Sequence, residues 1–508
     1  MQPSKRILIN TIAQYTRSIF SMVLALFATR IILRSLGVED YGIYSVIAGV
    51  VSLLSFITNA LAISTQRFLS VAQGYGNISD AKTIFNTSVI LHLCVGVLIV
   101  VGLELLYPFL MNGFLNFPIE RLGAAQVLYH LVAGILFFTL ISSPYRAIVI
   151  AHENIVYISI IEVLDALFKL LIALSLNYVA FDKLIIYGFL LLCIQLFNLI
   201  ALSIFSANKY AECTLPRFSN VDKKYLRGIF SFAGWTMYNI GCNYGRTQGI
   251  AVALNKILGT TVNAAYGLAF QVSGALSSLS QSLSNAINPQ LMKAEGGGNR
   301  ARMIRFAEIQ SKFSFLMMVA ISIPTLFEMN TLLRLWLGEV PEYSVLFCRM
   351  IIVAALCDLL TVGLGSANQA IGNIRNYTLV IYTIKLITLP FAVSLLYLDF
   401  DLLYVGVVYV LFEFISSIIR LPFLHYSANL NIMLFVKNVF FKEIIPLIAI
   451  ILCCWLVVSL FDVNYRFLIT FVLSNLVFII SVLLFGLTND EKAIIKKISG
   501  RFYPKKVN

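Results

Sequence analysis

Long apolar stretches separated by short polar turns are the main pattern in this chain. One stretch begins at an acidic turn, Gly37 to Asp40, and continues without a carboxylate as far as the Gly-rich turn at Gly74 to Asn77. About 20 apolar residues, each rising about 1.5 Å, cross the hydrocarbon of a bilayer as one helix. The pattern therefore predicts a membrane-spanning helix in this stretch.

Similar stretches recur along the whole chain. We predict about fourteen spans, at 7–36, 42–73, 84–110, 125–150, 156–180, 184–208, 225–258, 262–292, 303–328, 343–371, 376–398, 402–424, 443–461 and 465–487. Several exceed the thickness of a bilayer, which indicates tilted helices or helices that extend into the cytoplasm. The predicted fold class is all-α integral membrane.

The second half of the chain repeats the plan of the first. Leu258 to Asn299 has the same order of turns and apolar residues as Leu36 to Asn77, and residues 371–377 resemble residues 151–157. The period is about 220 residues, which corresponds to six spans. Because six is an even number, both repeats should insert in the same orientation, as parallel repeats related by an axis along the membrane normal.

The repeat predicts three parts. Residues 1–220 form an N-terminal six-helix lobe, and residues 221–440 form a second six-helix lobe. Residues 441–508 form two extra helices and a basic tail.

Composition agrees with a membrane protein. Hydrophobic residues make up 59% of the 508 residues and charged residues only 12%, whereas a soluble domain has about 25% charged residues. A soluble enzyme is therefore excluded. The net charge of +13 does not indicate a nucleic-acid site, because the cations concentrate in short loops on one predicted side of the membrane. The scattered cysteines and four histidines indicate neither disulfides nor a metal site, and no cofactor is predicted.

The charge of the loops predicts the orientation. Lysines and arginines concentrate in the loops near 209–227, 293–305 and 437–442 and in the tail after 492. Acids lie in the opposite loops, at Glu39, Asp40, Glu120, Asp182, Glu339, Glu342, Asp399, Asp401 and Asp462. By the positive-inside rule both termini should be cytoplasmic.

Charged residues inside spans mark candidate sites, because each costs at least about 2.5–3.5 kcal/mol at mid-bilayer. Spans 1, 2, 7 and 8 contain no Asp or Glu, yet they hold Arg17, Arg30, Arg67, Arg246, Asn239, Asn243, Gln248 and Gln271. If the halves face one another through these helices, they enclose a cationic cavity. A buried guanidinium without a carboxylate needs an anion from elsewhere, and diphosphate matches its fork of donors. Alternatively, Arg30 and Arg67 snorkel to the boundary, and Arg17 and Arg246 bond to backbone carbonyls.

Three acids in other spans are candidate ion carriers. Glu162, Asp358 and Glu413 lie in apolar surroundings, where a carboxyl group can bind and release a proton or sodium ion. Ion pairs with Lys385 or Arg420 are the alternative interpretation. Asp165 and Lys169 have the spacing of a structural i, i+4 pair, and the same span holds Glu162.

The first two spans resemble a known family. The segments NTIAQYTRSIF at 10–20 and ATRIILRSLGVEDYGIYSV at 28–46 are similar to the opening of the polysaccharide-repeat (O-antigen type) flippases. These belong to the multidrug/oligosaccharidyl-lipid/polysaccharide (MOP, MATE-like) exporter superfamily. The resemblance implies a multi-pass transporter of the bacterial inner membrane with two six-helix lobes in a V-shaped arrangement. It implies that the cargo is an oligosaccharide on undecaprenyl diphosphate, moved from the cytoplasmic to the periplasmic leaflet and driven by an H+ or Na+ gradient.

The resemblance also implies roles for the candidate residues. Arg17, Arg30, Arg246 and Lys385 would line the cavity that takes the diphosphate, and we expect the four Asn and Gln side chains of spans 7 and 8 to meet sugar hydroxyls. The product would be a surface polysaccharide such as O-antigen, capsule or exopolysaccharide, with a polysaccharide polymerase as a further partner. Two alternatives remain open. An ion-coupled multidrug exporter of the same fold would need carboxylates in the cavity, and a membrane polymerase or glycosyltransferase would need a larger acidic external loop.

Overall fold

The computed structural model of the chain describes residues 3–52, 54–111, 117–178, 180–461, 463, 465–489 and 491–492. All regular structure in these residues is helical, which confirms the predicted all-α class. The first eight helices are α1 (Pro3–Ser52), α2 (Ser55–Tyr75), α3 (Ile78–Phe109), α4 (Leu122–Ala151), α5 (Ile155–Ser175), α6 (Lys183–Lys209), α7 (Lys223–Leu258) and α8 (Thr260–Gly296). The others are α9 (Arg300–Phe327), α10 (Met329–Leu337), α11 (Ser344–Leu359), α12 (Val362–Ile371), α13 (Arg375–Tyr397), α14 (Leu402–Ala428), α15 (Ile432–Asn438), α16 (Phe440–Leu460) and α17 (Arg466–Ser481).

Eight helical stretches of the described residues, one of which joins α15 and α16, are long and apolar enough to cross a membrane. They are Ile78–Phe109, Ile119–Ala151, Lys183–Lys209, Arg300–Phe327, Arg375–Tyr397, Leu402–Ala428, Ile432–Leu460 and Arg466–Gly486. The pair α11 and α12 makes a ninth if it counts as one span with a bend of 47°. The described helices therefore support a multi-pass membrane protein, and fourteen spans stay a prediction. Most of the predicted basic tail, from residue 493 onward, lies outside the described residues.

The chain forms two compact units. Unit 1 contains Met1–Ile240 and Asn288–Asn299, and unit 2 contains Gly241–Ile287 and Arg300–Asn508. Helices α7 and α8 therefore each contribute to both units. The three-part division predicted from the repeat stays a prediction.

Unit 1 is built around the apolar faces of α2, α3 and α4. Leu69, Phe85, Leu128 and Leu140 are fully buried in its core. The buried hydroxyl of Tyr129 donates to the carbonyl oxygen of Leu103 at 2.6 Å, because a polar group enclosed by apolar side chains needs a hydrogen-bond partner.

The core of unit 2 lies between α9, α11, α13 and α14. Val319, Cys348, Ile352 and Ala392 are fully buried there. Helices α16 and α17 pack on each other and on α9. The two extra C-terminal helices are therefore part of unit 2.

Glycines at matched positions of the repeat share a positive φ angle. Gly37 has φ 84° and its counterpart Gly259 has φ 91°, while Gly76 has φ 72° and its counterpart Gly298 has φ 71°. Only glycine adopts these left-handed angles without steric cost. The alignment made from the sequence therefore pairs residues that fulfil the same role at helix breaks and ends.

Turns predicted to lie on one side of the membrane come together in unit 1. Arg121 contacts Asp40 at 2.7 Å and Asp182 at 2.6 Å, and both acids belong to the predicted external loops. Burial raises the pKa of Asp182, but the hydrogen bond and charge of Arg121, together with the backbone N–H groups of Ile185 and Leu184, outweigh burial, and the pKa is lowered on balance. Which end faces the cytoplasm stays a prediction.

The end of α8 crosses α2 with direct backbone contact. A Cβ atom on Gly296 would overlap the carbonyl group of Val71, whereas Gly267 of α8 has open space around it. Gly296→Ala is therefore expected to destabilise the protein by about 1–3 kcal/mol, whereas Gly267→Ala is expected to be neutral or stabilising. Thermal unfolding of the purified variants in detergent measures the difference, and equal melting temperatures would contradict the close packing.

Candidate functional site

Five charged side chains from four helices form one chain of ion pairs in unit 2. Arg246 of α7 contacts Glu413 of α14, with 2.5 Å between Nη1 and Oε1. Lys385 Nζ of α13 lies 2.8 Å from the second oxygen of Glu413 and 2.7 Å from Asp358 Oδ1 of α11. Arg420 Nη2 of α14 completes the chain at 2.5 Å from the same Asp358 oxygen. We call these residues the unit 2 cluster.

Four residues of the unit 2 cluster are buried, and one is partly exposed. Arg246, Lys385, Glu413 and Arg420 are each only 4% exposed, but the side chain of Asp358 is 32% exposed. Charges are tolerated inside a protein when they are paired and hydrogen-bonded. Asp358 is therefore the member through which the cluster can exchange partners with its surroundings.

Cations outnumber acids in the unit 2 cluster. Three cations face two carboxylates, so one positive charge is in excess. The Nε atoms of Arg246 and Arg420 are buried without a hydrogen-bond partner among the described residues, as are the hydroxyl groups of Tyr266 and Tyr377. Guanidinium N–H groups without an acceptor and a net positive charge are suited to bind an anion with several oxygen atoms.

An aromatic ring supports the guanidinium of Arg246. The ring of Tyr409 lies 4.4 Å from Cζ of Arg246, a geometry that stabilises a cation on the ring face. Asn243, one turn earlier on α7, accepts a hydrogen bond from Arg246 Nη2 at 3.4 Å. These contacts hold the guanidinium in one place.

A smaller cluster lies in unit 1. Arg17 of α1 and Arg146 of α4 each form an ion pair with one oxygen of Glu162 of α5. Arg17 Nη2 also contacts Ser18 Oγ at 3.1 Å, and its buried Nε has no hydrogen-bond partner among the described residues. We call the two arginines and Glu162 the unit 1 cluster, which likewise has one positive charge in excess.

The pairing corrects one premise of the sequence argument. Arg17 and Arg246 were expected to lack a carboxylate, because their own spans contain no acid; this is wrong, since Glu162 comes from α5 and Glu413 from α14. The alternative interpretation of Asp358 and Glu413 as ion pairs of Lys385 and Arg420 is confirmed. A substrate or ion-carrying role for any of these residues stays a prediction.

The other predicted site residues lie apart from the clusters or at their margins. Arg30, Gln248 and Gln271 are exposed, and no ion pair or hydrogen bond within the described residues joins them to either cluster. Asn239 is half-buried on α7, one turn before Asn243.

The predicted structural pair between α5 residues is present. Lys169 Nζ lies 2.7 Å from Asp165 Oδ2, and Asn198 of α6 donates to Asp165 Oδ1 at 2.9 Å. This local pair is therefore confirmed.

Sequence reasoning missed two contributors. Arg146 is not among the predicted site residues, although it lies within the predicted span 125–150 and inside α4. Tyr409 has no neighbouring motif that would mark it. Treating every arginine inside a span as a candidate would have found Arg146.

Unit 1 also contains a cavity of about 910 Å³ lined by the turns that follow α2, α4 and α6. Its two carboxylates are paired, Glu153 with Lys293 at 2.9 Å and Glu212 with His152 at 3.0 Å. The hydrogen bond from His152 lowers the pKa of Glu212. The described residues contain no group of three or more His, Cys, Asp or Glu that would hold a metal ion.

The fold is similar to those of solved transporters. A MATE mutant has a TM-score of 0.74 at 13% identity, over 86% of this chain and 98% of that chain. A multidrug resistance MATE family transporter of the MOP superfamily, in an outward-facing conformation, has a TM-score of 0.71 at 13% identity, over 86% and 97% of the two chains. The MATE transporter ClbM in complex with Rb+ has a TM-score of 0.71 at 15% identity, over 85% and 96%.

At the level of sequence, no curated protein matches the chain. Residues 4–295 match the polysaccharide biosynthesis protein family, and this match covers more than half of the 508 residues. The chain therefore belongs to the polysaccharide biosynthesis protein family, and its fold is that of the MATE transporters of the MOP superfamily.

Proposed function

We propose that the chain is a flippase for undecaprenyl-diphosphate-linked oligosaccharide repeat units. It moves them from the cytoplasmic to the periplasmic leaflet of the bacterial inner membrane, for a surface polysaccharide such as the O-antigen of lipopolysaccharide, capsule or exopolysaccharide. The family and the transporter fold support this class. The single observation that carries the proposal is the buried unit 2 cluster, in which three cations face two acids.

The diphosphate is the part of the cargo that the clusters would bind. A guanidinium donates two parallel N–H bonds to phosphate oxygens, and these charge-assisted bonds are among the strongest hydrogen bonds in proteins. Arg246 and Arg420 each have one Nε donor without a partner in the described residues. Lys385 adds a third positive charge to the same cluster.

The acids serve as internal counter-ions in the absence of cargo. A buried guanidinium without a counter-ion is strongly destabilising, so Glu413 holds Arg246, and Glu162 holds Arg17, until a diphosphate replaces the carboxylate. The displaced acid is then the group that binds a cation from the driving gradient, so Glu162, Asp358 and Glu413 stay candidate ion carriers in this account.

A multidrug exporter of the same fold is the main rival, since one structural neighbour is named as a multidrug resistance transporter. A site for a cationic drug needs carboxylates that are not already paired with cations of the protein. In both clusters each acid already contacts two cations. The clusters therefore favour an anionic cargo.

Deleting the gene in its host tests the proposal. We expect loss of the surface polysaccharide and accumulation of lipid-linked repeat units in the cytoplasmic leaflet, with tolerance of cationic drugs unchanged. Complementation with the wild-type gene should restore the polysaccharide. Intact polysaccharide together with greater drug sensitivity would favour the exporter instead.

A further inference from the structure

A buried carboxyl group on α16 has no hydrogen-bond partner among the residues that the structure describes. Glu443 is 2% exposed, and neither of its oxygen atoms is hydrogen-bonded in the described part of the chain. By contrast, Glu162, Asp358 and Glu413 are each paired with two cations. A buried group without a partner is disfavoured as a charged carboxylate and favoured as a neutral acid.

The buried cation that acts on Glu443 is occupied elsewhere. Lys312 of α9 interacts electrostatically with Glu443, and α9 packs against α16. Lys312 is itself 2% exposed, and its Nζ contacts Glu491 Oε2 at 2.5 Å. The same Glu491 oxygen accepts a hydrogen bond from the backbone N–H of Thr488 at 2.8 Å. Lys312 therefore holds Glu491 and, through it, Thr488, which both follow α17 in the chain.

Other charged groups lie near this junction, and one of them, Glu308 of α9, also interacts electrostatically with Lys312. On α9, Arg305 and Glu308 line a cavity of about 520 Å³ together with Lys312 and Glu491. The cavity gives water access to the Lys312–Glu491 pair. Lys442, beside Glu443, is half-buried.

Three more charged groups belong to the neighbouring elements. Lys437 of α15 is exposed, and Lys492 donates to the carbonyl oxygen of Leu484 at 2.8 Å. The charged side chain of α17 is Arg466, which pairs with Glu328 at 2.9 Å. Lys312 is therefore a buried cation on which Glu443, Glu491 and Glu308 all act, and Glu443 is the most buried of these acids.

We propose that Glu443 is a proton-binding site, and that loss of its proton moves Lys312 from Glu491 to Glu443 and releases Thr488 and Glu491 from their present contacts. The proton passes from the carboxyl group to water, and no other bond forms or breaks. One buried ammonium group cannot neutralise two carboxylates. An unpaired charge costs more free energy at the more deeply buried acid, so the ammonium group pairs with that acid. Glu491, nearer the surface, can be hydrated instead. This inference is independent of the proposed function.

Amide hydrogen exchange on the full-length protein in lipid nanodiscs tests the switch. After correction for intrinsic rates, we expect the amides of 487–492 to exchange about tenfold faster at about pH 8.5 than at about pH 6. Glu443→Gln keeps a neutral group in place, so its segment should stay protected at both values. Glu491→Gln lacks the ion pair with Lys312, so the amides of 487–492 in this variant should exchange fast at both pH values.

Two further variants identify the titrating group. Glu308→Gln changes an acid in the same cavity and Glu342→Gln an exposed acid in the loop before α11; both should retain the pH dependence of the wild type. Equal wild-type exchange at the two pH values would overturn the proposal. So would pH dependence that survives Glu443→Gln or disappears in Glu308→Gln. If Glu443→Gln does not fold, the proposal is still tested by the wild type, which must show the pH dependence, and by Glu308→Gln, which must retain it.

Discussion

Arg246→Met is expected to abolish flipping of the lipid-linked oligosaccharide and to lower the melting temperature of the protein. The change leaves Glu413, which is 4% exposed, with Lys385 as its one remaining cation. Removing one partner of a buried ion pair costs about 3–5 kcal/mol. Flipping is measured with purified protein in proteoliposomes and stability by thermal unfolding in detergent.

A double variant separates stability from transport. Arg246→Met combined with Glu413→Gln removes both charges of the pair, while Lys385 keeps its contact with Asp358. We expect most of the lost stability to return, because the neutral amide at position 413 no longer needs the cation that Arg246 supplied and the excess of one positive charge is the same as in the wild type, but flipping should stay absent. A double variant that flips at the wild-type rate would show that Arg246 has a structural role alone.

Arg17→Gln is expected to reduce flipping by at least about tenfold, because the loss of one charge-assisted hydrogen bond costs about 1.5–3 kcal/mol. Arg17 contributes a guanidinium with a buried Nε to the unit 1 cluster. The same proteoliposome assay measures the effect.

The matched control for Arg17 lies on the same helix. Arg30 of α1 is exposed, so Arg30→Gln should flip at close to the wild-type rate, although the family resemblance implied that it lines the cavity. Equal losses in the two variants would mean that the charge of α1 as a whole matters and would contradict a specific role for Arg17.

Much of the fold was predictable because the signals are local. Apolar length alone predicts the helices, and the alignment of the halves pairs Gly37 with Gly259, which both have a positive φ. The i, i+4 spacing of Asp165 and Lys169 was sufficient to predict their contact.

The composition of the clusters was not predictable, because it depends on which helices pack together. The sequence shows no acid near Arg17 or Arg246, and their partners lie on α5 and α14. Hydropathy identifies a span but not its neighbours or the face that it buries. The two compact units likewise divide α7 at Gly241, within a span that the sequence assigns as a whole to the second lobe.

The most direct test of the account is the movement of an undecaprenyl-diphosphate oligosaccharide across the bilayer of proteoliposomes that contain the purified protein. The account predicts that the wild type makes the inner-leaflet sugar accessible to an external sugar-modifying enzyme, and that the stable double variant of Arg246 and Glu413 does not. A wild-type protein that leaves the lipid in its original leaflet but transports a cationic dye would contradict it.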